Sequence, residues 1–128
     1  MADKNDVSLW LGNFSDKEAL DKYVEVSYTE EGDSIPSQFE KDYKLGYYDR
    51  DLIERDWIPV KNKNIRELLE GFSYDEQLIP QFKNQETIYN SILLVYNYSY
   101  NKEEDKRISI VNQIYQINFV GVASYLDE

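Results

Sequence analysis

Apolar and polar residues alternate from Val7 to Gly12. Val7, Leu9 and Leu11 fall on one side and Ser8, Trp10 and Gly12 on the other, the period of a β-strand. Directly after Phe14, Ser15-Asp16-Lys17-Glu18 has the S-x-x-E spacing of a capping box, whose hydroxyl and carboxylate satisfy amides left open at a helix start. The pattern predicts a strand leading without slack into a helix from Asp16 to Val24, with Ala19, Leu20, Tyr23 and Val24 as its apolar stripe. Trp10 lies opposite the aliphatic side of this corner, and Gly12 beside it leaves room for a neighbouring backbone or ring.

Thr29 to Ser34 reads as a polar loop around Gly32, and Pro36 with Ser37-x-x-Glu40 opens a second helix that carries Phe39 and Tyr43 and stops at Gly46. Tyr47 to Lys63 shows no sustained period and is expected to be loops and short pieces, with a turn of helix near Asp51 to Arg55 and a break at Pro59. Asn64 can cap a helix bearing Ile65, Leu68 and Leu69, closed by Gly71. A third S-x-x-E, Ser73 to Glu76, opens a short helix with Leu78, Ile79 and Phe82 that Pro80 must kink or end.

From Ile88 the period becomes two: Ile92, Leu94, Tyr96, Tyr98 and Tyr100 share one face, with Leu93, Val95, Asn97 and Ser99 on the other. Asn101 to Lys106 is a charged turn, Ile108 and Ile110 mark a short strand, and Asn112-Gln113 turns into a last strand from Ile114 to Leu126. In that strand Tyr115, Ile117, Phe119, Gly121, Ala123 and Tyr125 are placed on one face and Gln116, Asn118, Val120 and Val122 on the other. No repeat or linker divides the chain, so one domain over residues 1–128 is expected. Its class is α+β: a mostly antiparallel sheet of the N-terminal strand and a C-terminal meander, with several short helices packed on one face.

Composition removes reaction classes. The sequence contains neither cysteine nor histidine, so disulfides, thiolate sites, Ser-His-Asp or Cys-His catalysis and histidine-bound zinc are unavailable. No calcium loop or phosphate-cradling glycine loop is present, and no cofactor or metal site is expected. A carboxylate pair working as acid and base needs one acid in an apolar pocket, and no acid sits on a clearly apolar strand or helix face. No catalytic residue is assigned. The polar start and the lack of any run near ~18 apolar residues predict a cytoplasmic protein without a membrane span.

The 14 basic and 25 acidic residues give a net charge of −11, which disfavours nucleic acid and favours a basic protein partner. Glu25, Glu30, Glu31 and Asp33 lie in one stretch without a basic residue, and Tyr47, Tyr48, Asp49, Asp51, Glu54 and Asp56 form a second, aromatic one. These ten residues are the candidate partner interface, with Tyr47 and Tyr48 as its aromatic anchors.

Val7 to Phe14 with its W-x-G-x-F pattern, Tyr23-Val24-Glu25-Val26, Tyr28 to Asp33, Ile35 to Asp42, Leu68 to Tyr74 and Ile92 to Tyr98 together resemble the Immunity protein 22 family over most of the chain. The resemblance implies a bacterial protein made beside a secreted polymorphic toxin, which it binds and neutralises. It carries over no catalytic residue and no position-by-position interface. Combined with the acidic charge, it gives the expectation of stoichiometric inhibition of a basic toxin domain, such as a nuclease. A different class of function that the same surface would serve is an acidic cytosolic regulatory or scaffold protein with another basic partner.

Overall fold

A computed structural model describes residues 3–45, 48–100 and 109–127. In chain order the elements are β1 (Asp3–Asn13), α1 (Lys17–Tyr23), β2 (Ser27–Tyr28), β3 (Ser34–Ile35), α2 (Gln38–Tyr43), a 3₁₀ turn (Arg50–Leu52) and β4 (Ile53–Asn62). They continue as α3 (Ile65–Leu69), α4 (Asp75–Leu78), a second 3₁₀ turn (Ile79–Gln81), β5 (Tyr89–Tyr96), β6 (Ser109–Val111) and β7 (Gln116–Asp127). The main sheet has five strands in the order β4-β5-β1-β7-β6, every pair antiparallel, and β2 with β3 makes a separate two-stranded hairpin.

The α+β class and the antiparallel sheet agree with the sequence reading, but two details of that reading do not hold. The C-terminal strands are not a continuous meander, because β1 inserts between β5 and β7. The helices also lie on both faces. Val7, Leu9, Leu11, Ile92 and Leu94 pack with Ile65, Leu68, Leu69 and Leu78 of α3 and α4, whereas Trp10, Leu93, Val95 and Ile117 pack with Leu20, Tyr23, Phe39 and Tyr43 of α1 and α2. A central strand with bulky apolar residues on both sides needs cover on both, and β5 is buried along its whole length.

The strand-to-helix corner is held by side chains as well as by its own backbone. Asn90 accepts from the Phe14 amide at 3.0 Å and donates to the Phe14 carbonyl at 2.9 Å, and the Trp57 indole donates to that same carbonyl at 3.0 Å. Gly12 is required by a close approach: a Cβ there would stand 2.3 Å from the Gln116 carbonyl oxygen of β7.

Capping follows the sequence in part. Ser37 and Glu40 form the reciprocal box, and Asn64 accepts from the Glu67 amide at 3.2 Å. At α1 the cap is Asp16, which accepts from the Ala19 amide at 2.8 Å, and not Ser15. Ser73 caps nothing, since its amide and hydroxyl both donate to Glu54 and α4 starts after a left-handed Tyr74. Gly71 does adopt the left-handed backbone expected of it, with φ +97°, and α4 ends where Pro80 enters the 3₁₀ turn.

Three expectations about strands change. Tyr47 to Lys63 is not mainly loop, because ten of its residues form β4; its charged residues and Pro59 suit a sheet edge, and the pairing with β5 breaks between Trp57 and Asn62. Tyr96, Tyr98 and Tyr100 do not share a face. Asn97 turns left-handed at φ 59°, ending β5, so Tyr96 joins one core while Tyr98 and Tyr100 join the other. In β7 the register against β1 shifts between Leu9 and Trp10, which pair with Gly121 and Phe119, so Val120 is the extra residue of a bulge. The alternation reverses there: Tyr115, Ile117 and Phe119 face the Trp10 core, and Val120, Ala123 and Tyr125 face the other. The expected helix stop at Gly46 and the Asn101–Lys106 turn lie outside the described residues; α2 ends at Tyr43, followed by a left-handed Lys44. No helix among the described residues is long and apolar enough to cross a membrane.

Candidate partner interface

Glu25 follows α1 directly and is exposed, lining a depression with Glu18, Asp21 and Arg55. Beyond it the chain rises into the β2–β3 hairpin. The hairpin turn is ordered by backbone geometry: the Thr29 amide donates to the Asp33 carbonyl at 2.8 Å, the Asp33 amide to the Thr29 hydroxyl at 3.1 Å, and Gly32 takes φ +92°. Glu30, Glu31 and Asp33 are therefore presented on a turn with defined geometry, all exposed, above Tyr28 (64 % exposed) and Ile35 (39 %).

The second segment follows α2. Tyr47 lies outside the described residues. Tyr48 is half-buried, its ring 5.8 Å from that of Tyr98 and its hydroxyl donating to Glu40 at 2.5 Å. Asp49 caps the 3₁₀ turn through the Asp51 amide at 3.0 Å, and Asp51 is exposed. Glu54 is engaged with the Ser73 amide and hydroxyl and, at 3.2 Å, with the Tyr96 hydroxyl. Asp56 is exposed and accepts from the Trp57 amide at 2.9 Å.

The two segments, separate in sequence, share one side of the molecule. Val24, Val26 and Tyr28 from the first and Tyr48, Arg50, Ile53 and Arg55 from the second line a common depression. Of the ten candidates, Glu25, Glu30, Glu31, Asp33 and Asp51 are the most openly presented carboxylates, while Tyr48, Asp49, Glu54 and Asp56 hold local structure.

Sequence reading missed the cations within this acidic surface. Arg50 binds Glu40 through two nitrogens, at 2.8 and 3.0 Å, and Arg55 binds Asp21 at 2.8 Å. Glu40 lies on the buried face of α2 between Phe39 and Tyr43 and is 7 % exposed, so an acid does sit on an apolar helix face, contrary to the sequence reading. Burial alone would push its carboxyl up. Hydrogen bonds from Arg50, Tyr48 and the Ser37 amide outweigh that and hold it below the usual carboxylate range. A general acid needs the opposite shift, so Glu40 acts as an anchor tying α2 to the 3₁₀ turn. The same proximity, after burial, raises the Tyr48 hydroxyl. The only advance sign of this anchor was the Ser37-x-x-Glu40 box, which accounts for one oxygen of the carboxylate. A second polar centre lies on α2 itself: Asp42 accepts from Tyr23 at 2.9 Å and Tyr115 at 2.6 Å, and burial followed by that carboxylate raises Tyr115 to about 12.

Among the described residues no group of three or more acids is arranged to hold a metal ion. A search of curated proteins and a search of solved structures found no match. A family model does match, with the description Immunity protein 22, over residues 7–126, which include most of β1, both helical layers, the acidic hairpin and nearly all of β7. The chain belongs to the Immunity protein 22 family.

Proposed function

We propose that this protein neutralises a cognate bacterial toxin domain in the cytoplasm by stoichiometric binding, without chemistry of its own, and that the toxin presents a basic surface, as nucleases do. Family membership supports toxin neutralisation. The observation that supports the finer reading is that the two segments carrying the candidate acids meet at one depression, lined by Tyr28, Tyr48, Arg50 and Arg55, with the Glu30, Glu31 and Asp33 carboxylates held out on an ordered turn. In a chain of net charge −11, such a surface steers a basic partner toward it and raises the rate of productive encounter.

Reversing Glu30, Glu31 and Asp33 to lysine is expected to slow association with the toxin encoded in the adjacent reading frame about tenfold or more at low ionic strength, with a smaller change in dissociation. The difference should shrink as salt rises. Surface-plasmon kinetics across a salt series would measure both rates. Unchanged association at low salt would remove the hairpin from the encounter surface.

A further inference from the structure

The β4 strand forms one margin of the sheet, with β5 on a single side of it. Which of its backbone groups face outward follows from the register. The Tyr98 amide donates to the Asp6 carbonyl at 3.2 Å, so even-numbered residues of β1 turn their main chain toward β5. Ser8 pairs with Val95, and Val95 in turn pairs with Ile53. The main chain of Val95 therefore faces β1, and antiparallel alternation turns the amides and carbonyls of Ile53, Arg55 and Trp57 away from the sheet. The Trp57 amide agrees, since it is bonded to the neighbouring Asp56 carboxylate.

This margin lies in a groove of about 520 Å³ whose floor is Ile53 to Asp56. One wall is α1, through Lys17 and Asp21; the other is the end of α3, through Glu70, Gly71 and Phe72. Each wall is tied to the strand it flanks. Arg55 reaches α1 through Asp21, and Glu54 holds the loop after α3 through Ser73. Most edge strands are blunted by bulges or covered by loops. Here the proline and the register break come later, beyond Trp57, and leave Ile53 to Trp57 straight and paired. At the opposite margin β6 has only three residues.

The geometry points to the β4 margin as a β-augmentation site, where an extended basic segment of the toxin adds a sixth strand along Ile53 to Trp57. The inference rests on the immunity reading and adds the part of the surface that would carry main-chain hydrogen bonds. Charge selects the occupant: the groove presents the carboxylates of Asp21, Glu54, Asp56 and Glu70 against the cations of Lys17 and Arg55. Side chains alternate along an added strand, so one with lysine or arginine at every second position would face Glu54, Asp56 and Glu70 on the α3 side while its backbone pairs with Arg55. The groove also shares Arg55 with the depressions beside Glu25 and Tyr28, so one partner could meet the hairpin and the margin together.

The test uses the full chain and the protein encoded in the adjacent reading frame. Amide hydrogen exchange is read free and in the complex, alongside the affinities of Arg55→Pro and Arg55→Ala. Both variants lose the ion pair with Asp21, and only proline removes the outward amide, at an edge position where proline is compatible with the fold. Expected are the outward amides of Ile53 and Arg55 slowed at least about tenfold in the complex, and Arg55→Pro binding about tenfold or more weaker than Arg55→Ala. A complex that forms with exchange at Ile53 and Arg55 unchanged and the two variants equal overturns the β4 site while leaving immunity intact. A free protein that sediments as a dimer with those amides already slow assigns the margin to a second copy and also overturns it. If the wild-type chain does not bind that protein at all, the immunity reading fails, and this inference fails with it.

Discussion

Replacing Trp10 with alanine is expected to lower stability by about 3 to 5 kcal/mol, the largest effect of any single truncation in this chain. The indole is fully buried on the middle strand. Rings of Phe39, Tyr43, Tyr100 and Phe119 surround it with centroids 4.9 to 5.6 Å away, mostly edge-on, so one deletion removes area burial and four aromatic contacts together. One term opposes the loss. Among the described residues the Trp10 indole N–H has no hydrogen-bond partner, and an orphaned buried donor costs about 1 to 3 kcal/mol. Trp10→Phe keeps much of the packing and removes the orphan, so it should cost well under half as much as alanine. Urea denaturation of the two variants checks the pair. Equal losses would mean that the ring retained by phenylalanine restores no packing, and would contradict this account of the site. Toxin binding by whatever fraction remains folded should be normal, because Trp10 is sealed beneath α2 and reaches no surface.

The second large effect lies at Glu40. Removing its carboxylate with Glu40→Ala leaves the Arg50 guanidinium, the Tyr48 hydroxyl and the Ser37 amide without their acceptor. Breaking a buried pair costs about 3 to 5 kcal/mol; the lower end, about 3 kcal/mol, is expected here because Arg50 is 40 % exposed and can return to water. The pH dependence has a defined sign. The folded-state pKa of Glu40 lies below its ordinary value of 4.5, so its contribution is fully present above that value and is lost as pH falls through the lower folded-state pKa. The stability gap between wild type and Glu40→Ala should be constant from about pH 6 to 8 and narrow progressively below pH 4.5. Denaturation midpoints at pH 7 and pH 3.5 measure it, and a gap that widens in acid would contradict the anchor.

These two residues also mark what could and could not be read from the sequence. Trp10 and its aliphatic partners were legible because a two-residue period needs no knowledge of the rest of the chain. That β1 would be covered on both faces was less so, since it depends on which helix returns to which side. Capping motifs divided in the same way. Ser37-x-x-Glu40 forms its box, whereas the similar Ser73-x-x-Glu76 yields to a distant carboxylate, Glu54, that takes both of the serine donors. Local signals lose where a tertiary partner offers more. β4 escaped detection because an edge strand carries Glu54, Arg55, Asp56 and Pro59, which individually argue for loop and together suit an exposed margin. The bulge at Val120 is set by pairing with β1 and leaves no mark in the alternation of β7 itself.

The candidate surface was legible as charge and not as geometry. The acidic runs around Glu30 and Asp51 were visible in the sequence. That Arg50 and Arg55 neutralise Glu40 and Asp21 depends on contacts between residues 10 and 34 positions apart. Asp49, Glu54 and Asp56 therefore organise the surface, and Glu25, Asp51 and the hairpin acids are left to meet a partner.

Titrating the activity of the toxin from the adjacent reading frame against this protein tests the account most directly. Inhibition by binding predicts activity falling linearly to zero at one chain per toxin, an unchanged toxin mass, and full recovery of activity once the two are separated in denaturant and the toxin is refolded. Complete inactivation by a small fraction of an equivalent, or a toxin left covalently altered, would contradict it.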